Sequence, residues 1–145
     1  MHKEQGALLA ELLVVLAVMA LGVGLALMNL RPMETPLQAG TSMTQGVFRQ
    51  ARLQAIATTS AFRVVPFGTD QLRAQYAESC ASTTWTLDTK LIVDLPDGVS
   101  MSPTTWSVCF SSRGISTNNV VVTLSHPQYG LRRVEVLLGG TTRVM

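Results

Sequence analysis

Charged residues are scarce in this chain of 145 residues, at 14% of the total, whereas hydrophobic residues make up 47%. The mean hydropathy of +0.29 is too high for an ordinary soluble domain and excludes the intrinsically disordered class. The first 46 positions contain no aromatic residue. The apolar excess therefore lies in the N-terminal part, which predicts a membrane-anchored protein.

Histidine and cysteine are too few for most catalytic or metal sites. The chain has two histidines and two cysteines, and the cysteines are too far apart for a zinc knuckle. His126 precedes a proline in a predicted loop, and no Gly-x-Ser-x-Gly motif supplies a nucleophile elbow. We therefore predict a protein that is not an enzyme, with no cofactor and no metal.

A long apolar run occupies residues 7–30, where only Glu11 and Asn29 are strongly polar. Its length matches the roughly 20 residues that a helix needs to cross a bilayer. A secretory signal peptide is the alternative, but its apolar core would be about 7 to 15 residues long. The run also contains a carboxylate. The sequence thus predicts one transmembrane helix that stays attached to the protein.

The first eleven residues, MHKEQGALLAE, resemble the class III signal of type IV pilins and type II secretion pseudopilins. Leaders of this class are short, polar and basic, end in glycine, and are removed on the cytoplasmic side by a prepilin peptidase. The resemblance implies cleavage between Gly6 and Ala7, N-methylation of Ala7, and an assembly role for Glu11 as the fifth-position glutamate. The family usually begins with Phe where this chain has Ala7.

The carboxylate of Glu11 needs a partner, because an ionisable group at the centre of a bilayer costs roughly 2.5 kcal/mol or more. In a filament, the ammonium created at Ala7 of one subunit can lie beside Glu11 of its neighbour, so that each group offsets the desolvation of the other. Such a pair would fix the axial register of the subunits. A glutamate that snorkels from near a helix end is the alternative interpretation.

Beyond the apolar run, two prolines in the segment 31–36 predict a break or kink. A second helix is predicted from about Met43 to Thr59, with Val47, Phe48, Ala51 and Ala55 on one apolar face. Strand patterns follow in the second half of the chain. They lie at 62–67, 83–87, 91–93, 106–110, 120–124, 134–138 and 142–144.

The order of these elements predicts an α+β protein. Its N-terminal transmembrane helix would continue into a pilin-like helical stalk packed on an antiparallel β-sheet head. The predicted divisions are a leader at 1–6, a transmembrane and assembly helix at 7–30, a kinked helical stalk at 31–60 and a β-rich head at 61–145.

Five further segments resemble, in their order, the GspH/FimT group of pilin-like proteins: FRQARLQAIA at 48–57, WTL at 85–87, LPDGV at 95–99, VCFSSRG at 108–114 and GTTRV at 140–144. The resemblance implies a minor pilin of a type IV pilus, or alternatively a GspH-type pseudopilin of a type II secretion system. Its expected partners are the prepilin peptidase, other pilins or pseudopilins in a filament, and the bacterial inner membrane. The head would be periplasmic before assembly into the pilus or pseudopilus.

Cys80 and Cys109 allow two interpretations from the residues alone, a disulfide or two buried thiols. The basic residue Lys3 in the leader keeps the N-terminus cytoplasmic and therefore places the head in an oxidising compartment. We predict a disulfide between them on that ground.

The arginines near the C-terminus raise the question of DNA, although the net charge of +2 does not demand a nucleic-acid partner. FimT-like proteins used in transformation carry a Gly-Arg-x-Arg motif there, and this chain has Thr141 in place of the first arginine. Arg132, Arg133 and Arg143 are thus either DNA contacts or residues of solvated strand faces. Because consecutive strand residues point to opposite faces, the pattern favours the solvated faces.

Overall fold

The computed structural model describes the backbone of residues 2–29 and 34–145, and the side chains of residues 8–21 and 34–145. The described residues belong to two compact units, one before residue 34 and one from Glu34 to Met145. The first unit is a single helix, α1 (His2–Asn29). Of the predicted break at 31–36, residues 31–33 lie outside the described residues.

The second unit begins with helix α2 (Pro36–Thr58). The hydroxyl of Thr35 accepts a hydrogen bond from the Gln38 amide at 3.2 Å, and Pro36 occupies the first turn, where its missing N–H costs nothing. At the other end, the left-handed backbone of Thr59 (φ 52°) stops the helix. The helix thus starts seven residues before the predicted Met43, because the Thr-Pro cap fixes its first turn at Pro36.

Eight strands follow α2 and form two antiparallel sheets, whereas the sequence predicted one. The strands are β1 (Ala61–Phe67), β2 (Gln71–Ala77), β3 (Thr86–Asp94), β4 (Ser100–Ser102), β5 (Val108–Phe110), β6 (Val120–His126), β7 (Gly130–Val136) and β8 (Thr142–Val144). Sheet A has the order β3-β2-β1-β5, and sheet B has the order β4-β6-β7-β8. The expected α+β class is confirmed.

Two strands were missed by the sequence patterns, β2 and β4. Strand β2 has the sequence QLRAQYA, which is poor in β-branched residues, and it forms because a tight turn at Gly68 (φ +67°) returns the chain beside β1. The strands predicted at 83–87 and 91–93 are one strand, β3. Pairing with an existing neighbour therefore overrides weak local propensity.

The core lies between α2 and both sheets, since α2 contacts strands of each. The face predicted from the helical spacing is buried in full, with Phe48, Ala51 and Ala55 each 0% exposed. The ring of Phe48 packs against that of Trp106 at a centroid distance of 5.7 Å. Leu53 and Ile56, which are apolar but lie outside the predicted face, are 59% and 45% exposed on the outward side of the helix.

Replacement of Phe48 by alanine tests this core. We expect Phe48→Ala to lower the free energy of unfolding by about 3–5 kcal/mol, because it leaves a cavity between the helix and the sheets. Leu53→Ala on the exposed face of the same helix is the matched control, with an expected change within about 0.5 kcal/mol. Urea denaturation followed by tryptophan fluorescence measures both. Equal losses would contradict this assignment of the two faces.

Candidate functional site

Helix α1 carries apolar side chains on all sides. Every large hydrophobic residue described in it is exposed: Leu8, Leu9, Leu12, Leu13, Val14, Val15, Leu16, Val18, Met19 and Leu21. A helix that is apolar around its whole circumference is suited to burial in a bundle or a membrane. Among the described residues, none of the helices combines the length and hydropathy needed for a bilayer crossing.

The predicted processing and assembly residues lie on α1. Gly6 and Ala7 are within its backbone range, and the side chain of Ala7 is outside the described set. Glu11 is exposed and is the one charged side chain among residues 8–21. Ala7 and Glu11 are four residues apart, which puts them on one face of the helix. The roles assigned to these three residues stay predictions.

The predicted disulfide is confirmed: Cys80 and Cys109 are bonded, with a Cα–Cα distance of 5.9 Å. The bond ties the connection between β2 and β3 to the edge strand β5. Cys109 pairs across the sheet with Arg63, whose guanidinium lies 4.2 Å from the centroid of the Trp85 ring. Burial lowers the pKa of Arg63. Trp85 and the disulfide thus hold the 78–85 segment beside sheet A.

The three arginines singled out for DNA contact do not form one cluster. Arg132 pairs with Leu124 and Arg133 with Thr123, so they project from opposite faces of sheet B. Arg143 shares the outer face with Arg133, and its Nε donates a hydrogen bond to the Glu135 carboxylate at 2.5 Å. The charge of Arg143 is therefore already paired. Contact of these residues with DNA stays a prediction.

Two arginines that the sequence patterns did not single out line a small cleft between α2 and the C-terminal turn. Its volume is about 140 Å³, and its walls are Arg49, Arg52, Gly140, Thr141 and Thr142. Nε of Arg52 donates a hydrogen bond to the carbonyl of Gly114 at 2.9 Å. The absence of acidic residues from 36–58 was the one sequence feature that could have indicated this site.

A larger open groove of about 1010 Å³ lies beside the end of α2 and strand β3. Phe62 and Tyr76 stack in it at a centroid distance of 5.8 Å, and threonine and serine hydroxyls form much of its wall. His126, the one histidine among residues 34–145, accepts a hydrogen bond from the Gln128 amide through Nδ1. No cluster of His, Cys, Asp and Glu in the described part of the chain could hold a metal ion.

Comparison with solved structures identifies the fold. The minor pseudopilin EpsH from the type 2 secretion system of Vibrio cholerae is 15% identical, with a TM-score of 0.59 over 77% of this chain and 97% of that one. The type IV minor pilin FimU of Pseudomonas aeruginosa is 12% identical, with a TM-score of 0.58 over 75% and 87%. The sequence matches no family model and no curated protein. The chain has a GspH/FimT-like pilin fold.

Loss of the disulfide should destabilise the head without changing its fold. The bond closes a loop with a sequence separation of 29 residues, and the chain-entropy model gives about 3.5 kcal/mol for a loop of this size. We expect the free energy of unfolding of the Cys80→Ser, Cys109→Ser double variant to be lower by that amount, and its urea midpoint to fall accordingly. Wild-type protein in reductant should match the double variant. An unchanged midpoint in both would contradict the stabilising role.

Proposed function

We propose that this protein is a minor pilin-like structural subunit of a type IV pilus and has no enzymatic activity. The observation that carries the proposal is the combination of the pilin fold of the head with a helix α1 that is apolar on all sides. A helix of that kind requires burial among other apolar surfaces. A filament of packed helices meets that requirement, and the head would lie on its surface.

Maturation would proceed through a prepilin peptidase that cuts after Gly6 and leaves Ala7 as the methylated N-terminus. The subunit would wait in the inner membrane as a single-pass protein with a periplasmic head. The disulfide between Cys80 and Cys109 supports that compartment, because such bonds persist in the periplasm and are rare in the cytosol.

Processing is tested by the intact mass of protein extracted from membranes of a host that has a prepilin peptidase. We expect the mass of the chain from Ala7 onward, with or without one methyl group, because this cleavage alone keeps the apolar run and puts the carboxylate in fifth position. Gly6→Val is the control and should retain the leader. Wild-type protein that keeps residues 1–6, or that is cut beyond residue 30, would contradict the proposal.

Assembly would depend on an ion pair between subunits. The ammonium of Ala7 and the carboxylate of Glu11 in a neighbouring chain would neutralise each other among apolar side chains, where either group alone is costly. The head has its own core in residues 34–145 and does not use this pair to fold. Assembly and folding should therefore respond differently to a change at Glu11.

Glu11→Gln separates the two effects, because it removes the charge and keeps the shape. We expect the variant head to unfold like the wild type, while incorporation into filaments falls by at least about tenfold. Glu78→Gln, which removes an exposed carboxylate from the head, is the control and should assemble normally. Immunoblots of sheared filaments against total protein provide the readout. Normal incorporation of Glu11→Gln would leave the snorkelling interpretation as the better one.

A GspH-type pseudopilin of a type II secretion system is the second candidate. The likeness to EpsH favours it as strongly as the likeness to FimU favours a minor pilin. Deletion of the gene in its own host distinguishes them, since loss of surface pili supports the first and retention of secreted proteins in the periplasm supports the second. A role in DNA uptake would be a specialised form of the first, with Arg133 and Arg143 on the exposed face of sheet B.

A further inference from the structure

Four arginines lie on three segments that meet at the second half of α2, and only one of the four is paired with a described carboxylate. The segments are α2 itself, the 111–119 loop and residues 137–145, and none contains Asp or Glu. They contribute Arg49, Arg52, Arg113 and Arg143. Glu135 on β7 is paired with Arg143, and this is the one ion pair in the part of the chain that the structure describes. No described carboxylate forms an ion pair with Arg49 or Arg52.

Arg52 is held in place by its surroundings. Its Nε donates to the Gly114 carbonyl at 2.9 Å, and the terminal nitrogens make no hydrogen bond within residues 34–145. Gly140 (φ +77°) lets the C-terminal turn approach this contact, because a side chain at position 140 would collide with the Gly114 carbonyl and lie 2.9 Å from Nε of Arg52. The guanidinium is therefore pre-organised with donors left over.

The cleft beside Arg52 contains further donors without acceptors. Arg49, three residues earlier on α2, lines the cleft, and its guanidinium makes no hydrogen bond to described residues. The Thr141 amide and the hydroxyls of Thr141 and Thr142 also make none. The turn itself is fixed, since the Gly140 amide donates to the Leu137 carbonyl at 2.7 Å. The volume of about 140 Å³ exceeds the roughly 30 Å³ share of one water severalfold.

We propose that this cleft binds a tetrahedral oxyanion of the phosphate class. Planar guanidinium groups pair with phosphate oxygens in a bidentate manner, and two of them match the charge of a dianion. A carboxylate offers only two oxygens in one plane and would neutralise one of the two cations. All of the residues that line the cleft belong to one subunit, so binding can be tested on the unassembled protein.

The test is isothermal titration of the full chain, in nonionic detergent, with inorganic phosphate at neutral pH. We expect saturable binding at one site, weakened at least about tenfold in Arg49→Gln. Arg49 has no hydrogen bond to lose, so this variant should fold normally, and its urea midpoint checks that. Arg132→Gln removes the same charge from an exposed strand position and should leave the affinity within about twofold.

Titrations with three further anions define the chemistry of the ligand. Acetate should bind more weakly than phosphate. Sulfate, which is also tetrahedral and dianionic, should compete with phosphate for the cleft. Dimethyl phosphate, a monoanionic diester, separates the sources: tight binding supports a phosphodiester, and weak binding supports a dianion, either free phosphate or a monoester. The proposal is overturned if wild-type protein shows no saturable phosphate binding, if Arg132→Gln weakens it as much as Arg49→Gln, or if acetate binds as tightly as phosphate.

Discussion

The head depends on the burial of one face of α2 between two sheets. Ala51 and Ala55 are fully buried, and their small side chains let the strands approach the helix closely, while Phe48 fills the space beside Trp106. Sheets A and B share no hydrogen-bonded strand pair in the described residues, and α2 contacts strands of both. The amide of Met101 in β4 adds a direct link, since it donates a hydrogen bond to the Thr69 carbonyl in the turn between β1 and β2. A change on this face acts on both sheets at once, which makes the helix the organising element of the core.

The same helix also fixes the loop at Gly114 and the C-terminal turn at Gly140, which fold against it. Arg52 reaches the Gly114 carbonyl, and Gly140 completes the contact from the C-terminal turn, so three segments distant in sequence meet at one guanidinium. This contact satisfies a backbone carbonyl but neutralises no charge. An arginine that is positioned by a neutral acceptor still attracts anions. Arg143 differs, because its charge is neutralised by the ion pair with Glu135.

Prediction from sequence succeeded where the deciding interaction was local or the spacing was periodic. The buried face of α2 followed from apolar residues three and four apart. The disulfide between Cys80 and Cys109 was inferred by a different route, from the oxidising compartment that Lys3 and the apolar run indicate. The division into two sheets depends on which strands meet in space. Strand β2 does so too, because its own residues have little β-propensity. The cleft at Arg49 could not be predicted from the sequence for the same reason, since its walls lie about 90 positions apart along the chain.

The outward face of α2 connects the two proposals. Arg49 lies on that face with Leu53 and Ile56, which remain exposed in the isolated subunit. If filament packing covers these apolar side chains, it also removes water from Arg49, and an unpaired buried cation is costly. An oxyanion bound in the cleft would offset that cost, whereas an empty cleft would oppose packing on this side. Under both proposals, occupancy of the cleft and burial of the helix face would be thermodynamically linked, each favouring the other through one guanidinium.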